Sequence, residues 1–221
     1  MPIDSLIIEF DRTIYDTTAL KNALANSLNV FGVTPSDFWQ TYPQARVRRD
    51  QDYRPYYHPN RHMEILKERL TCAPEEALQQ IEEVINNGRR FLFSDTLDFL
   101  NRMVSLNIKM TLVSYGIPEF VRKKVAATGV EPFFTEIMYT EGKRIGAVNQ
   151  ILKGDEKRVF LISDKLHEMK VVAKYLPQVV PLLKRRPEIP LLTYRETGLL
   201  NFDNLKDIQD YLTIIHAMSY V

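Results

Sequence analysis

The feature that most restricts what this chain can fold into is a repeated pairing of short apolar runs with amphipathic stretches. Ser5-Leu6-Ile7-Ile8-Glu9-Phe10 is the first run, Ile108 to Val113 the second, and Arg158-Val159-Phe160-Leu161-Ile162 the third. Gln178 to Leu183 is a fourth, and Thr135 to Tyr139 is a weaker one. Runs this short, apolar throughout and stopping at polar residues, are the pattern of strands buried on both faces. Helical patterns lie between them. Ser94 can cap a helix with Leu97, Leu100 and Val104 on one face. Pro118 to Thr128 ends before Gly129, a common helix stop. Lys143 to Leu152, Glu168 to Tyr175 and Leu205 to Met218 complete the set. Strands alternating with helices predict βαβ units, so the fold class is α/β with a mainly parallel sheet flanked by helices.

The alternation breaks once. From about Thr17 to Arg90 no run reads as a strand, while Leu20 to Phe31, Pro59 to Leu70 and Pro74 to Asn87 read as helices. The last has proline in its first turn, Glu75 and Glu76 at its positive end and Gly88 after it. We therefore expect a core of residues 1–16 and 91–221 with a mostly helical insertion at 17–90.

In a parallel sheet, ligands sit at the carboxyl ends of the strands, and the polar residues that stop the runs gather there: Glu9 and Asp11, Ser114, Asp164. Glu9 and Asp11, at i and i+2 on an extended segment, point to the same side. Such carboxylates repel unless a cation or proton lies between them. Taken alone, the pair is more simply a solvated strand end. The downstream residues change that reading. Ser114 supplies a hydroxyl, and the helix starting near Pro118 has free backbone N–H groups for an anion. Lys143 supplies a cation, and Asp164 and Glu168, four apart across a strand-to-helix turn, add two carboxylates.

Bulk properties weight the functions without excluding them. Among 221 residues, 29 basic and 28 acidic side chains give a net charge of +1, which is no field for a polyanion. No apolar run approaches the roughly 18 residues of a membrane span. Asp4 and Glu9 interrupt any signal-peptide core, and the single cysteine, Cys72, suits a reducing compartment. A cytoplasmic protein that is a monomer or homodimer, with no nucleic-acid or membrane partner, is expected.

The order carboxylate pair, hydroxyl, lysine, carboxylate pair resembles the four motifs of the haloacid-dehalogenase (HAD) superfamily, across essentially the whole chain. Ile14-Tyr15-Asp16-Thr17 and Asn201-Phe202-Asp203-Asn204-Leu205 are similar to that family too. The resemblance implies a Rossmann-like core with a cap after the first motif. It also implies hydrolysis of a small phosphorylated metabolite. On that pattern Glu9 stands at the nucleophile's place and Asp11 is the acid–base residue. Thr13 supports the loop, Ser114 and Lys143 hold phosphoryl oxygens, and Tyr115 adjoins them. Mg²⁺ would bind Glu9, the Asp11 carbonyl and Asp164, with Glu168 nearby.

The sequence departs from the family pattern at several of these places. Glutamate where aspartate is usual adds one C–C bond, about 1.5 Å, and a misplacement of roughly 1 Å can cost about 100-fold in rate. Arg12, Tyr115, Ser163 and Glu168 are further departures. Metal binding should therefore survive better than turnover. Within the insertion, residues 46–62 carry five arginines against two aspartates, with Tyr53, Tyr56 and Tyr57. Arg46, Arg49, Arg54 and Tyr57 are the candidate contacts for an anionic substrate, although an irregular solvated loop explains them equally well. His58 and His62 have a metal-ligand spacing that Pro59 between them spoils, and Lys184-Arg185-Arg186 is more simply a solvated loop than a phosphate site. The competing functions are a weakened Mg²⁺-dependent phosphatase and a catalytically impaired HAD-fold protein that binds a ligand or partner. A dehalogenase is a weaker third, and nucleic-acid binding has least support.

Overall fold

The first strand, β1 (Ser5–Glu9), is buried along its length and leads through a tight loop into the insertion. In that loop Arg12 takes a left-handed conformation (φ 62°). Asp16 caps α1 (Thr17–Ser27) by accepting from the Thr18 and Ala19 amides. A capping box of Thr34 and Asp37 opens α2 (Pro35–Thr41). A short antiparallel ladder, β2 (Arg46–Val47) with β3 (Tyr56–Tyr57), precedes α3 (Pro59–Leu66) and α4 (Pro74–Asn86). A computed structural model describes residues 3–47, 56–142, 144–152 and 158–218.

The insertion is thus helical as expected, with two additions that the pattern did not show: the helix α2 and the β2–β3 ladder. Its centre is aromatic. Phe38, Tyr42 and Tyr57 surround His62, with ring centroids 4.5 to 6.2 Å from the imidazole. One apolar cluster runs on from Leu20, Leu24 and Phe38 to Leu100, Val121 and Ile162 of the sheet and its helices. The insertion is therefore packed onto the rest of the chain.

Beyond it the alternation is regular. It runs α5 (Thr96–Ser105), β4 (Lys109–Tyr115), α6 (Pro118–Ala126), β5 (Glu136–Thr140), α7 (Arg144–Ile151), β6 (Val159–Ser163) and α8 (Leu166–Tyr175). It closes with β7 (Val179–Lys184), α9 (Leu191–Arg195), β8 (Leu200–Phe202) and α10 (Leu205–Ala217). The expected face of α5 is corrected by one position. Phe99, Leu100 and Met103 are buried, whereas Val104 is 49% exposed. Ser94 does not cap α5; its neighbour Asp95 accepts instead from the Leu205 and Lys206 amides that open α10.

The six long-range strands form one parallel sheet in the order β5-β4-β1-β6-β7-β8. β1 lies at the centre, and the chain crosses to β4 on one side and to β6 on the other. That switch opens a crevice at the carboxyl ends of the strands. β8 has only three residues, too few for a pattern to reveal. No helix among the described residues is long and apolar enough to cross a membrane.

Candidate functional site

A cavity of about 580 Å³ lies over the carboxyl ends of β1 and β4. Glu9, Asp11, Tyr115, Gly116 and Lys165 line it from the sheet side, and Leu20, Lys21, Tyr42, Arg46 and Tyr57 from the insertion. Six basic and four acidic side chains take part in the lining. Two of those cations, Arg12 and Lys165, pair with Glu188 and Asp164 outside the lining, and Tyr42, Tyr57 and Phe120 form an aromatic wall.

Glu9 and Arg144 face each other at its floor. Arg144 Nη2 donates to Glu9 Oε1 at 2.6 Å and Nε donates to Glu168 Oε2 at 2.7 Å. The guanidinium also lies 4.6 Å from the centre of the Tyr115 ring. Ser163 Oγ donates to Glu9 Oε2. Both oxygens of Glu9 are thus engaged, and both partners of the ion pair are almost fully buried. Burial pushes the Glu9 carboxyl above its ordinary value, against the opposing pull of Arg144. Burial works against the Arg144 charge, but Glu9, Tyr115 and Glu168 outweigh it and hold the guanidinium firmly protonated.

Asp11 has its own cation. Lys124, on the buried face of α6 with Val121 and Val125, donates to Asp11 Oδ1 at 2.6 Å, and Thr17 Oγ1 donates to the same oxygen at 2.7 Å. Burial would raise this carboxyl. Lys124 and Thr17 outweigh burial and hold it below its ordinary value. An aspartate held ionised in this way has no proton to give and is a weaker base than an ordinary carboxylate.

Asp164 is neutralised in a third way. Lys165 Nζ lies 2.9 Å from Oδ1, and Arg186 Nε lies 3.4 Å from Oδ2. Arg186 also approaches Glu188, which pairs with Arg12 at 2.6 Å. The basic segment read as a solvated loop is instead paired: Arg186 lies near Asp164, Arg185 pairs with the exposed Asp203, and Lys184 is buried over the Phe93 ring.

These pairings bear on the implied metal. Mg²⁺ needs about six oxygens at roughly 2.0–2.1 Å around one point. Among the described residues no group of three His, Cys, Asp or Glu side chains could hold a metal ion. The resemblance implied Mg²⁺ held by Glu9, the Asp11 carbonyl and Asp164 with Glu168 nearby; in the structure the Glu9 and Glu168 side chains meet Arg144, that of Asp11 meets Lys124, and Asp164 lies beside Lys165 and Arg186 with its Oδ1 making no hydrogen bond. As folded, no three of these side chains converge on one point among the described residues, so a Mg²⁺ ion here would need Glu9 or Glu168 to leave Arg144.

The other expected residues divide. Tyr115, Arg46 and Tyr57 line the cavity as expected, though the Tyr57 hydroxyl lies 3.0 Å from His62 Nδ1, so its ring is what the cavity meets. Ser114 and Thr13 are buried with hydroxyls that have no hydrogen-bond partner. Lys143, Arg49 and Arg54 lie outside the described residues. His58 is the N-cap of α3 and His62 is buried in the insertion, so the pair shares no metal; His167 is exposed. The sequence reading missed Arg144, Lys124 and the bond from Ser163 to Glu9. A signal existed for Lys124, which occupies a core position of an amphipathic helix, i+3 from Val121. Arg144 was hidden by its neighbour Lys143.

No protein-family model matches this sequence, and no curated protein does. Solved structures do. The chain is similar to the candidate HAD-hydrolase YfnB of Bacillus subtilis bound to magnesium (TM-score 0.59, 16% identity, covering 96% of this chain and 99% of that one). It is similar to a candidate beta-phosphoglucomutase of Thermotoga maritima (TM-score 0.66, 14% identity, 96% and 100%). It is also similar to the L-2-haloacid dehalogenase of Xanthobacter autotrophicus (TM-score 0.62, 13% identity, 96% and 98%). At these identities the likeness establishes the fold.

Proposed function

We propose, from the haloacid-dehalogenase fold that this chain has, that it binds a small anionic metabolite of the phosphomonoester class and hydrolyses it slowly or not at all. One observation carries this reading: both oxygens of the nucleophile-position carboxylate, Glu9, are held by Arg144 and Ser163. A carboxylate so held must break a buried ion pair or a hydrogen bond to attack phosphorus. Asp11 adds to the same reading, since leaving-group protonation needs a proton that Lys124 and Thr17 keep off it.

One donor favours an anion. Arg144 lines the cavity and its Nη1 is buried without a hydrogen-bond partner, a costly state unless something accepts from it, whereas the unpartnered hydroxyls of Thr13 and Ser114 belong to residues outside the lining. Residues 17–90 act as the cap, and Tyr42, Tyr57 and Phe120 give the ligand an apolar side.

A second reading, a Mg²⁺-dependent phosphatase with Glu9 as nucleophile, has in its favour that Glu9, Asp11 and Lys124 all line the cavity. The two separate in one experiment. Inorganic phosphate is titrated by calorimetry and thermal shift, and p-nitrophenyl phosphate hydrolysis is followed with and without MgCl₂. Saturable phosphate binding with turnover near the uncatalysed rate supports the binding protein. Rapid turnover that depends on Mg²⁺ and is lost in Glu9→Gln would establish the phosphatase.

A further inference from the structure

We infer that the ligand of this cavity carries a second acidic group apart from its phosphoryl group, and that Lys21 of α1 receives it. The inference rests on the phosphomonoester reading above and narrows it to esters that bear a further anionic group.

Lys21 differs from most cations of the lining. Lys124 is taken by Asp11, Arg144 by Glu9 and Glu168, Arg12 by Glu188 and Lys165 by Asp164. Lys21 makes no ion pair among the described residues, and its ammonium lies 4.9 Å from the centre of the Tyr42 ring. Its surroundings disfavour its charge. Burial holds the ammonium below its ordinary value and Arg12, Arg46 and Lys165 add to that, while Asp11 opposes them. Asp11 is itself engaged by Lys124 and Thr17. A half-buried cation among other cations is stabilised by an anion that enters from outside.

The phosphoryl group has donors elsewhere. Arg144 Nη1 and Tyr115 Oη are buried without hydrogen-bond partners, in residues that line the cavity from the sheet side. The groups that act most on Arg144 are Glu9, Tyr115 and Glu168, none of which is among those acting most on Lys21. The two cations therefore serve different parts of the cavity, Arg144 on the sheet side and Lys21 on the insertion. At about 580 Å³ the space has the size of sites that enclose whole small molecules. Leu20, Tyr42 and Phe120 give the body of such a ligand an apolar wall.

The test uses the full chain and two pairs of esters that differ by a carboxylate: phosphoglycolate with ethyl phosphate, and 4-carboxyphenyl phosphate with phenyl phosphate. Binding of each, and of inorganic phosphate, is measured by calorimetry. In at least one pair the wild type should bind the carboxylated ester roughly tenfold or more tightly than its neutral counterpart, as a hydrogen bond to a charged group provides. Lys21→Met keeps the apolar stem without the charge and should bring that ratio close to one, whereas Lys21→Arg should keep it. Should Lys21→Met not fold, Lys21→Gln carries the same expectation. A ratio near one for both pairs in the wild type, or a ratio that survives loss of the lysine charge, would overturn the inference and leave the phosphomonoester reading standing. So would binding of inorganic phosphate with none of the four esters. Failure of phosphate and of all four esters to bind would remove both.

Discussion

Lys124 and Asp11, 113 residues apart in the chain, meet at 2.6 Å beside the cavity with the lysine almost wholly buried. The lysine ammonium sits among rings, 5.6 Å from the centres of Phe10 and Phe120. A charge in that setting is stable only while its partner is present. Lys124→Met removes the cation and leaves Asp11 largely buried with Thr17 alone. We expect a loss of about 3 kcal/mol in urea unfolding, as for a broken buried pair. Adding Asp11→Asn should recover part of it, because the uncompensated charge is then gone. Full additivity of the two losses would show that the pair is not coupled.

Ser114→Ala should separate stability from binding. The hydroxyl is fully buried and unpartnered, so its removal is expected to stabilise the protein by about 1 kcal/mol. If the hydroxyl serves the ligand, phosphate affinity falls at the same time by roughly 10-fold or more. A Tm that rises with unchanged affinity would take Ser114 out of the site.

His62 should make the protein acid-sensitive. Thr41 Oγ1, which donates to the Asp37 carbonyl, lies 2.8 Å from His62 Nε2, and the Tyr57 hydroxyl lies 3.0 Å from Nδ1. These partners suit a neutral ring with its proton on Nε2. Burial lowers the imidazole to about 4, against an unfolded value of about 6.5. Because the unfolded chain takes up the proton first, this stabilisation is complete above about pH 6.5 and is lost as pH falls towards 4. The loss is on the order of 3 kcal/mol. Urea midpoints measured between pH 7 and 4.5 should fall accordingly, and His62→Gln should flatten the slope. The Asp11 contribution is distinct, since a lowered carboxyl gives up its stabilisation only below about pH 4.

Gly116 joins β4 to α6 at the edge of the cavity with φ 148°, and a Cβ there would stand 2.7 Å from Val121 Cγ2. Val121 is buried in the core and cannot swing aside. Gly116→Ala is expected to cost roughly 1–3 kcal/mol. It should also weaken phosphate binding, because Gly116 and Ile117 line the cavity. Unchanged unfolding and binding would mean that the loop adapts freely.

Much of this molecule was legible in its sequence, and the legible part shares one cause. The strands at Leu6 to Ile8, Leu112 and Phe160 to Ile162 are buried on both faces, so their burial is written into consecutive residues. The acids that end those strands reach the crevice because every strand is parallel, which brings all the carboxyl ends to one side. What the sequence could not show is which charge each acid meets. Arg144 lies 135 residues from Glu9, and only the crossovers on either side of β1 bring them together. Lys143 and Arg144 are equivalent as a basic pair at a helix start, and only the packing of α7 puts the second at 2.6 Å from Glu9. Burial, pleat and helical period are local properties that a one-dimensional pattern records. Which charge of the chain meets Glu9 depends on partners brought from distant segments, and only the tertiary structure shows that it is Arg144.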